Sequence, residues 1–327
     1  MSPDSQQDFA LAFLSILFEG APFILLGTLI SGFIDIYLPP GMMDRFLPKN
    51  KFLAVLMSGM LGAVFPVCEC AVVPVIRRLV KKGLPVSCGL TYMLAAPIVN
   101  PITALSTWKA FQGQGAGMMT CSRLLLGFLV AVAVGMIVSK LPLGAVLRPK
   151  LAESLNNDAR EVGHHDHEHD HDHDHSCCGH DHHHAPAGGE RLVAAFRSAM
   201  KDFVDVAVYF SIGVTITALF NTGIAPGAQW LDSLASNPTA APVALMVLAF
   251  ILSLCSTSDA FIAATLDKFS WGAKLAFLTF GPMMDVKLIF LYQTVLRKRF
   301  IVLLALGLFV SIGGISIFWQ HLILGAK

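Results

Sequence analysis

Gly62-Ala-Val-Phe-Pro-Val-Cys-Glu-Cys-Ala-Val-Val-Pro74 places two thiols, Cys68 and Cys70, on either side of Glu69 and between two prolines. Proline inside a helix removes a backbone donor and clashes with the carbonyl four residues back, so Pro66 and Pro74 predict an interrupted helix. The flanking residues are apolar enough for a membrane interior, where freed backbone groups are tolerated only against protein or a cavity. An ionisable residue at that depth is a functional candidate. Thiolates select Cu(I), Zn(II) and other soft ions, and a neighbouring carboxylate supplies an oxygen or receives a proton. The stretch reads as a site for a soft cation. Cys68 and Cys70 can share one ion only if this turn is non-helical, because positions i and i+2 of a helix do not face each other.

The rest of the chain has the composition of a membrane protein. It has 327 residues, 55% hydrophobic and 14% charged, with a mean hydropathy of +0.65, which excludes an ordinary soluble domain and predicts an all-α polytopic membrane protein whose partner is the lipid bilayer. No basic patch with interleaved aromatics is present, so nucleic acid is not an expected partner. The polar N-terminus leads into an apolar run over 9–38 that is too long for a signal-peptide core and reads as a first span. The seven cysteines are an odd number and fit reduced thiols better than a disulfide framework. Phosphate-cradling, aspartyl-phosphate and His-Glu-x-x-His motifs are missing, so the chain is not expected to be an enzyme or to carry a cofactor. The oligomeric state is not addressed by any motif.

At about 20 apolar residues per span, eight spans are expected, at roughly 9–38, 52–76, 84–108, 118–140, 199–220, 241–264, 271–295 and 300–323. Glu19 and Gly27 recur as Asp205 and Gly213, and Cys70, Pro97 and Asn100 recur as Cys255, Pro282 and Asp285, at nearly one offset. This spacing predicts two repeated four-helix units, residues 1–140 and 199–327, with broken helices at their interface and a linker over 141–198 between them. An even number of spans per unit predicts parallel repeats; a broken helix that does not cross fully would make them inverted. Counting Lys and Arg on eight spans puts both termini and the linker together in the cytoplasm of a bacterial inner membrane, with Arg297, Lys298 and Arg299 opposing that assignment.

Further candidates lie in the second unit. Ser253-Leu-Cys255-Ser-Thr-Ser-Asp259 carries a thiol, hydroxyls and a carboxylate, and Asp259 is either a ligand or a cap for the following segment. Asn100 and Asp285 each follow a proline by three residues; Asp285 binds the ion, carries a proton or pairs with Lys287. The linker alternates imidazole and carboxylate: His164, His165, His167, His169, His171, His173 and His175, then Cys177, Cys178, His180, His182, His183 and His184. Such a tract cannot bury a core, and its chemistry is weak multivalent binding of Zn, Cu or Ni.

Phe65-Pro-Val-Cys-Glu-Cys-Ala-Val-Val-Pro74, Gly83-Leu-Pro85 and Ala95-Ala-Pro-Ile-Val-Asn-Pro101, with Thr257-Ser-Asp259 and Phe280-Gly-Pro282, resemble the ArsP-type permease family of eight-span bacterial membrane proteins. The resemblance implies export of soft toxicants, including trivalent organoarsenicals. The histidine-rich loop is similar to that of a subgroup assigned to copper and zinc efflux. The expectation is a secondary efflux transporter for Zn(II) and/or Cu(I), using Cys68, Glu69, Cys70 and Cys255 with Asp259, Asn100 and Asp285, and exchanging protons through its carboxylates. The alternatives are an arsenical permease and a membrane metal sensor that moves nothing.

Overall fold

The computed structural model describes residues 3–39, 47–65, 67–149, 151, 153, 188–224, 237 and 239–324. Pro66 and the whole histidine tract, with Cys177 and Cys178, lie outside the described residues. The described part is helical apart from one isolated bridge, Leu147 to Leu296.

The first half contains α1 (Pro3–Tyr37), α2 (Lys51–Val64), α3 (Glu69–Lys81), α4 (Val86–Ala95), α5 (Pro101–Ala110) and α6 (Ala116–Val138), followed by the short α7 (Leu143–Val146). The second half contains α8 (Gly188–Ile224), α9 (Ala240–Leu252), α10 (Asp259–Thr265), α11 (Trp271–Met283), α12 (Val286–Tyr292) and α13 (Lys298–Leu324). Each half runs from one long helix through four short ones to another long one. The short helices end where their caps dictate. Asn50 accepts from the Phe52 amide at 3.1 Å and opens α2. Asn100 accepts from the Ile102 amide at 2.9 Å, with Pro101 at the position that lacks an intrahelical donor, and opens α5.

Packing directions show which helices cross. Ala71, Pro74 and Arg78 of α3 lie beside Gly27, Ser31 and Asp35 of α1 in that order, so α3 runs parallel to α1. Gly59 and Gly62 of α2 meet Thr91 and Ala96, so α2 and α4 run together in the opposite sense. The chain therefore enters along α2, reverses between the end of α2 and the start of α3, and returns along α3 to the face it left. In the second half, Met246 of α9 packs on Gly313 and the Ala264 carbonyl of α10 accepts from Gln114, so α9 and α10 enter and leave by the opposite face. The segments expected as spans over 52–76 and 241–264 are thus hairpins that turn back inside the bilayer.

Five stretches are long and apolar enough to cross a membrane: Gln6–Tyr37, Ala116–Val138, Arg191–Leu219, Trp271–Tyr292 and Lys298–Gln320. The fourth combines α11 and α12. Its counterpart, α4 with α5, is interrupted at 96–100 but runs the length of α6, from Thr91 beside Gly135 to Trp108 beside Gly117. Among the described residues the structure shows five such stretches where eight spans are expected, because hydropathy counts apolar residues and cannot see a chain fold back on itself.

The long helices α1 and α8 are antiparallel. Gly20 lies on Phe210, while Ser31 donates to Asp202 at 2.9 Å and Gly32 lies on Ala195 and Ala199. The parallel arrangement expected of the two halves is not found, because each contributes three crossings and one hairpin, an odd number of passes. The same count moves the ends of the chain. The C-terminal ends of α1, α3, α6 and α12 and the N-terminal ends of α2, α4, α8 and α13 share one face, from which the linker leaves. The start of α1 and the end of α13 lie at the other face. Termini and linker are therefore on opposite sides, contrary to the sequence expectation. Of the described Lys and Arg, fourteen are on the linker face, including Arg297 to Arg299; Lys109, Lys268 and Lys274 are on the terminal face, and Arg123 and Lys287 are buried.

The linker face is held by Arg78, whose Nε and Nη2 donate to Asp202 at 2.8 and 3.0 Å and whose Nη1 lies 3.0 Å from Asp35. Ser198 donates to Asp35 at 2.7 Å, which joins α1, α3 and α8 in one network. We expect an epitope inserted in the linker and one appended after Lys327 to be reached by antibody from opposite sides of sealed vesicles; labelling from the same side would refute the hairpins.

Candidate functional site

The two hairpin tips meet at the centre of the protein. Cys68 is the N-cap of α3 and Glu69 its first residue; Ser258 is the N-cap of α10 and Asp259 its first residue. Structurally, Cys68-Glu69-Cys70 thus corresponds to Ser258-Asp259-Ala260, a register different from the offset that pairs Cys70 with Cys255. Carboxylates at both positions are favoured by the helix dipole.

Each carboxylate is answered by a cation from the other half. Lys287 Nζ of α12 lies 3.3 Å from Glu69 and 3.6 Å from Asp285, and donates to the Ser253 carbonyl at 2.9 Å. Arg123 of α6 holds Asp259 with Nη2 at 2.8 and 3.1 Å, donates from Nη2 to the Ser256 carbonyl at 3.0 Å and from Nη1 to the Thr107 hydroxyl at 2.7 Å. Ser256 connects the two pairs, since its hydroxyl donates to Glu69 at 3.4 Å. All four charged groups are buried. Ser253 is the one described non-glycine residue with positive φ, at 48°, and that strained turn presents its carbonyl to Lys287.

A narrow cleft of about 10 Å³, near the size of one water, lies against these groups. Cys68, Glu69, Cys70, Cys255 and Lys287 line one wall; Ile16, Glu19, Gly20 and Phe23 of α1 and Phe210 of α8 line the other. Glu19 accepts from the Ser258 hydroxyl at 3.0 Å. Thiols from both halves are therefore brought to one place. Among the described residues, no three His, Cys, Asp or Glu are arranged to hold a metal ion in this conformation.

The remaining candidates are placed elsewhere. Asn100 caps α5, and Asp259 is engaged by Arg123. Asp285 caps α12 by accepting from the Leu288 amide at 2.7 Å and reaches the cleft only through Lys287. The 285–287 pairing is possible because Asp285 lies before the helix begins, so helical spacing does not apply. The linker ligands fall outside the described residues. The sequence analysis does not single out Arg123 as a site residue, and it names Lys287 only as a possible partner of Asp285. A lone cation inside an apolar run was the available signal in both cases.

Breaking a buried ion pair by removing one partner costs about 3–5 kcal/mol, because the remaining charge is left uncompensated. Arg123→Leu is expected to lower the thermal unfolding midpoint sharply, and Arg123→Leu with Asp259→Leu to recover part of the loss. A double variant no more stable than the single one would show that the pair does not act as a unit.

Comparison with known proteins agrees with the membrane architecture. Residues 6–318 match the ArsP_1 family, described as a predicted permease. UPF0718 protein YcgR of Bacillus subtilis is 36% identical over 293 residues, covering 89% of this chain and 90% of the relative. A Streptococcus mutans protein named putative two-component membrane permease complex subunit is 32% identical over 300 residues, covering 91% of this chain and 90% of its own length. No solved structure matches. With the family's pattern covering nearly the whole chain, and the same extent shared with two relatives above 30% identity, this protein belongs to the ArsP_1 family of predicted permeases.

Proposed function

We propose that this permease is a secondary transporter that carries soft metal ions, Zn(II) and/or Cu(I), out of the bacterial cytoplasm. The observation that carries the reading is the convergence of Cys68, Cys70 and Cys255 on one mid-membrane cleft beside the Lys287–Glu69 pair. Sulfur ligands prefer soft cations over Mg(II) or Ca(II), and two thiolates neutralise the charge of a Zn(II) ion before any carboxylate is counted. Cysteine must lose its proton to bind, so metal uptake releases protons at the site. Glu19, on the opposite wall of the cleft, is placed to receive them, which supports proton-coupled exchange.

Lys287 occupies the place of a cation between Glu69 and Asp285. A carboxylate without a counter-charge inside the bilayer is costly, and the tethered ammonium offsets Glu69 and Asp285 when no substrate is bound. An arriving metal cation displaces the ammonium from Glu69; when the ion leaves, Lys287 returns. The excess of Lys and Arg on the linker face favours a cytoplasmic position for that face. The histidine tract would then meet metal on the side from which it is removed, and both termini would lie outside.

A second reading is favoured by one observation. Glu69 is already compensated by Lys287, and the residues that line the cleft, like the other described residues, include no three His, Cys, Asp or Glu close enough together to hold one metal ion, which suits an uncharged thiol-reactive solute such as a trivalent arsenical. A sensor would bind metal without moving it.

Proteoliposome flux of Zn(II), Cu(I) and methylarsenite separates the three. Cys68→Ser with Cys70→Ser is expected to reduce metal flux at least tenfold; unchanged flux would remove the thiol site, and binding without flux would establish the sensor. Lys287→Met is expected to keep metal-for-metal exchange while losing net efflux, whereas a purely structural lysine would lose both.

A further inference from the structure

The two halves share most of their internal contacts, the α5–α6 packing of the first half excepted, but their long helices are unmatched. Within the first half α2 packs on α4, α4 on α6 and α3 on α4; within the second α9 packs on α11, α11 on α13 and α10 on α11. Across the halves, α10 lies against α5 as α12 lies against α3. Inversion relates these two sets of five helices. It does not relate the surroundings of α1 and α8. Gly27 of α1 is pressed on Ala71 of α3, and its sequence counterpart Gly213 of α8 is pressed on Lys287 of α12. The Gly27 contact lies on the linker-face side of the cleft, and the Gly213 contact lies at the level of the cleft, where α12 begins its run toward the linker face.

We infer that the protein has a second conformation in which the α1–α8 pair leaves α3 and α12 and seats on α5 and α10, in the half next to the terminal face. Near-equivalence by inversion makes the two seats similar in shape. The offsets that relate the halves carry Gly213–Lys287 onto Gly27–Ile102. The register of the hairpin tips carries Gly27–Ala71 onto Gly213–Phe261. Ile102 is 56% and Phe261 53% exposed in this structure, as an unoccupied seat requires. Lipid alone would also leave apolar residues exposed; it would not leave two glycines with inequivalent neighbours.

The segments joining the pair to the other helices, 38–50, 147–187 and 225–239, are the longest in the chain, whereas 82–85, 96–100, 111–115 and 266–270 are short. One wall of the cleft belongs to the moving pair and the other to the remaining helices. The exchange of seats therefore opens the thiols toward the linker face and then covers them again, which is alternating access for the transport reading on which this consequence rests. The Arg78–Asp35–Asp202 network holds the present seat and must break in the exchange.

The test is a distance measurement between spin labels at Leu26→Cys on α1 and Leu105→Cys on α5, both exposed positions, in a full-length chain whose native cysteines are replaced by serine. Two distances are expected in proteoliposomes. Arg78→Gln should raise the population of the shorter one roughly tenfold, and Arg78→Lys should leave it nearly unchanged. One distance, insensitive to Arg78→Gln, would overturn the proposal, as would a tenfold rise with Arg78→Lys. Flux by the native-cysteine protein keeps the two readings apart. Two distances without flux of any substrate support the second seat and remove transport, whereas flux with a single fixed distance removes the second seat.

Discussion

The hairpin tips are possible because each acid that begins a returning half-helix is matched by a cation from the opposite half. Glu69 is matched by Lys287 and Asp259 by Arg123, at 3.3 and 2.8 Å. In a bilayer there is no water to satisfy a broken helix or a carboxylate at mid-depth, so the partner must come from the protein. Crossing the pairs between halves ties the folding of each tip to the presence of the other. The break points of the helices, the burial of the cations and the position of the thiols all follow from that constraint.

The same pairing gives the centre its chemistry. A thiol-lined cleft beside a compensated carboxylate leaves no bare charge in the membrane. Arg123 is the more rigid of the two cations, with two bonds to Asp259, one to Ser256 and one to Thr107. Lys287 makes one bond of 2.9 Å to a carbonyl and single, longer contacts of 3.3 and 3.6 Å with two acids, and it alone of the two borders the cleft. An ammonium on a flexible stem exchanges partners more readily than a guanidinium held in a fork. The two tips are therefore held differently, one by a fixed fork and the other by a tether that can change partners.

The peripheral helices are built differently from the centre. α11 is enclosed almost throughout, while α1 is exposed along most of its length and is fastened mainly through α3 and α8. Its fastening is polar at the linker face, at Asp35 and Ser31, and depends elsewhere on close approach at Gly20, Gly27 and Gly32. Small residues let helices approach closely in lipid, where no hydrophobic effect drives them together. Contacts of this kind can be given up and remade more cheaply than an interlocked core.

Composition by itself determined that the chain is helical and lives in a membrane, because apolar runs of that length have no other stable solution. Local spacing determined where helices break: the Pro-Val-Cys-Glu-Cys stretch, Asn100-Pro101 and Asp285 are cap and breaker chemistry that acts within a few residues. The recurrence of Gly27 as Gly213 was also legible, since close packing leaves a glycine wherever a side chain cannot fit. Only the tertiary structure decided that two apparent spans are hairpins, that the halves are inverted and that termini and linker face opposite sides. Hydropathy has no direction, so a segment that crosses and one that returns read alike. The partners of Glu69 and Asp259 were hidden for a related reason: they lie 218 and 136 residues away in sequence, and only packing brings them together.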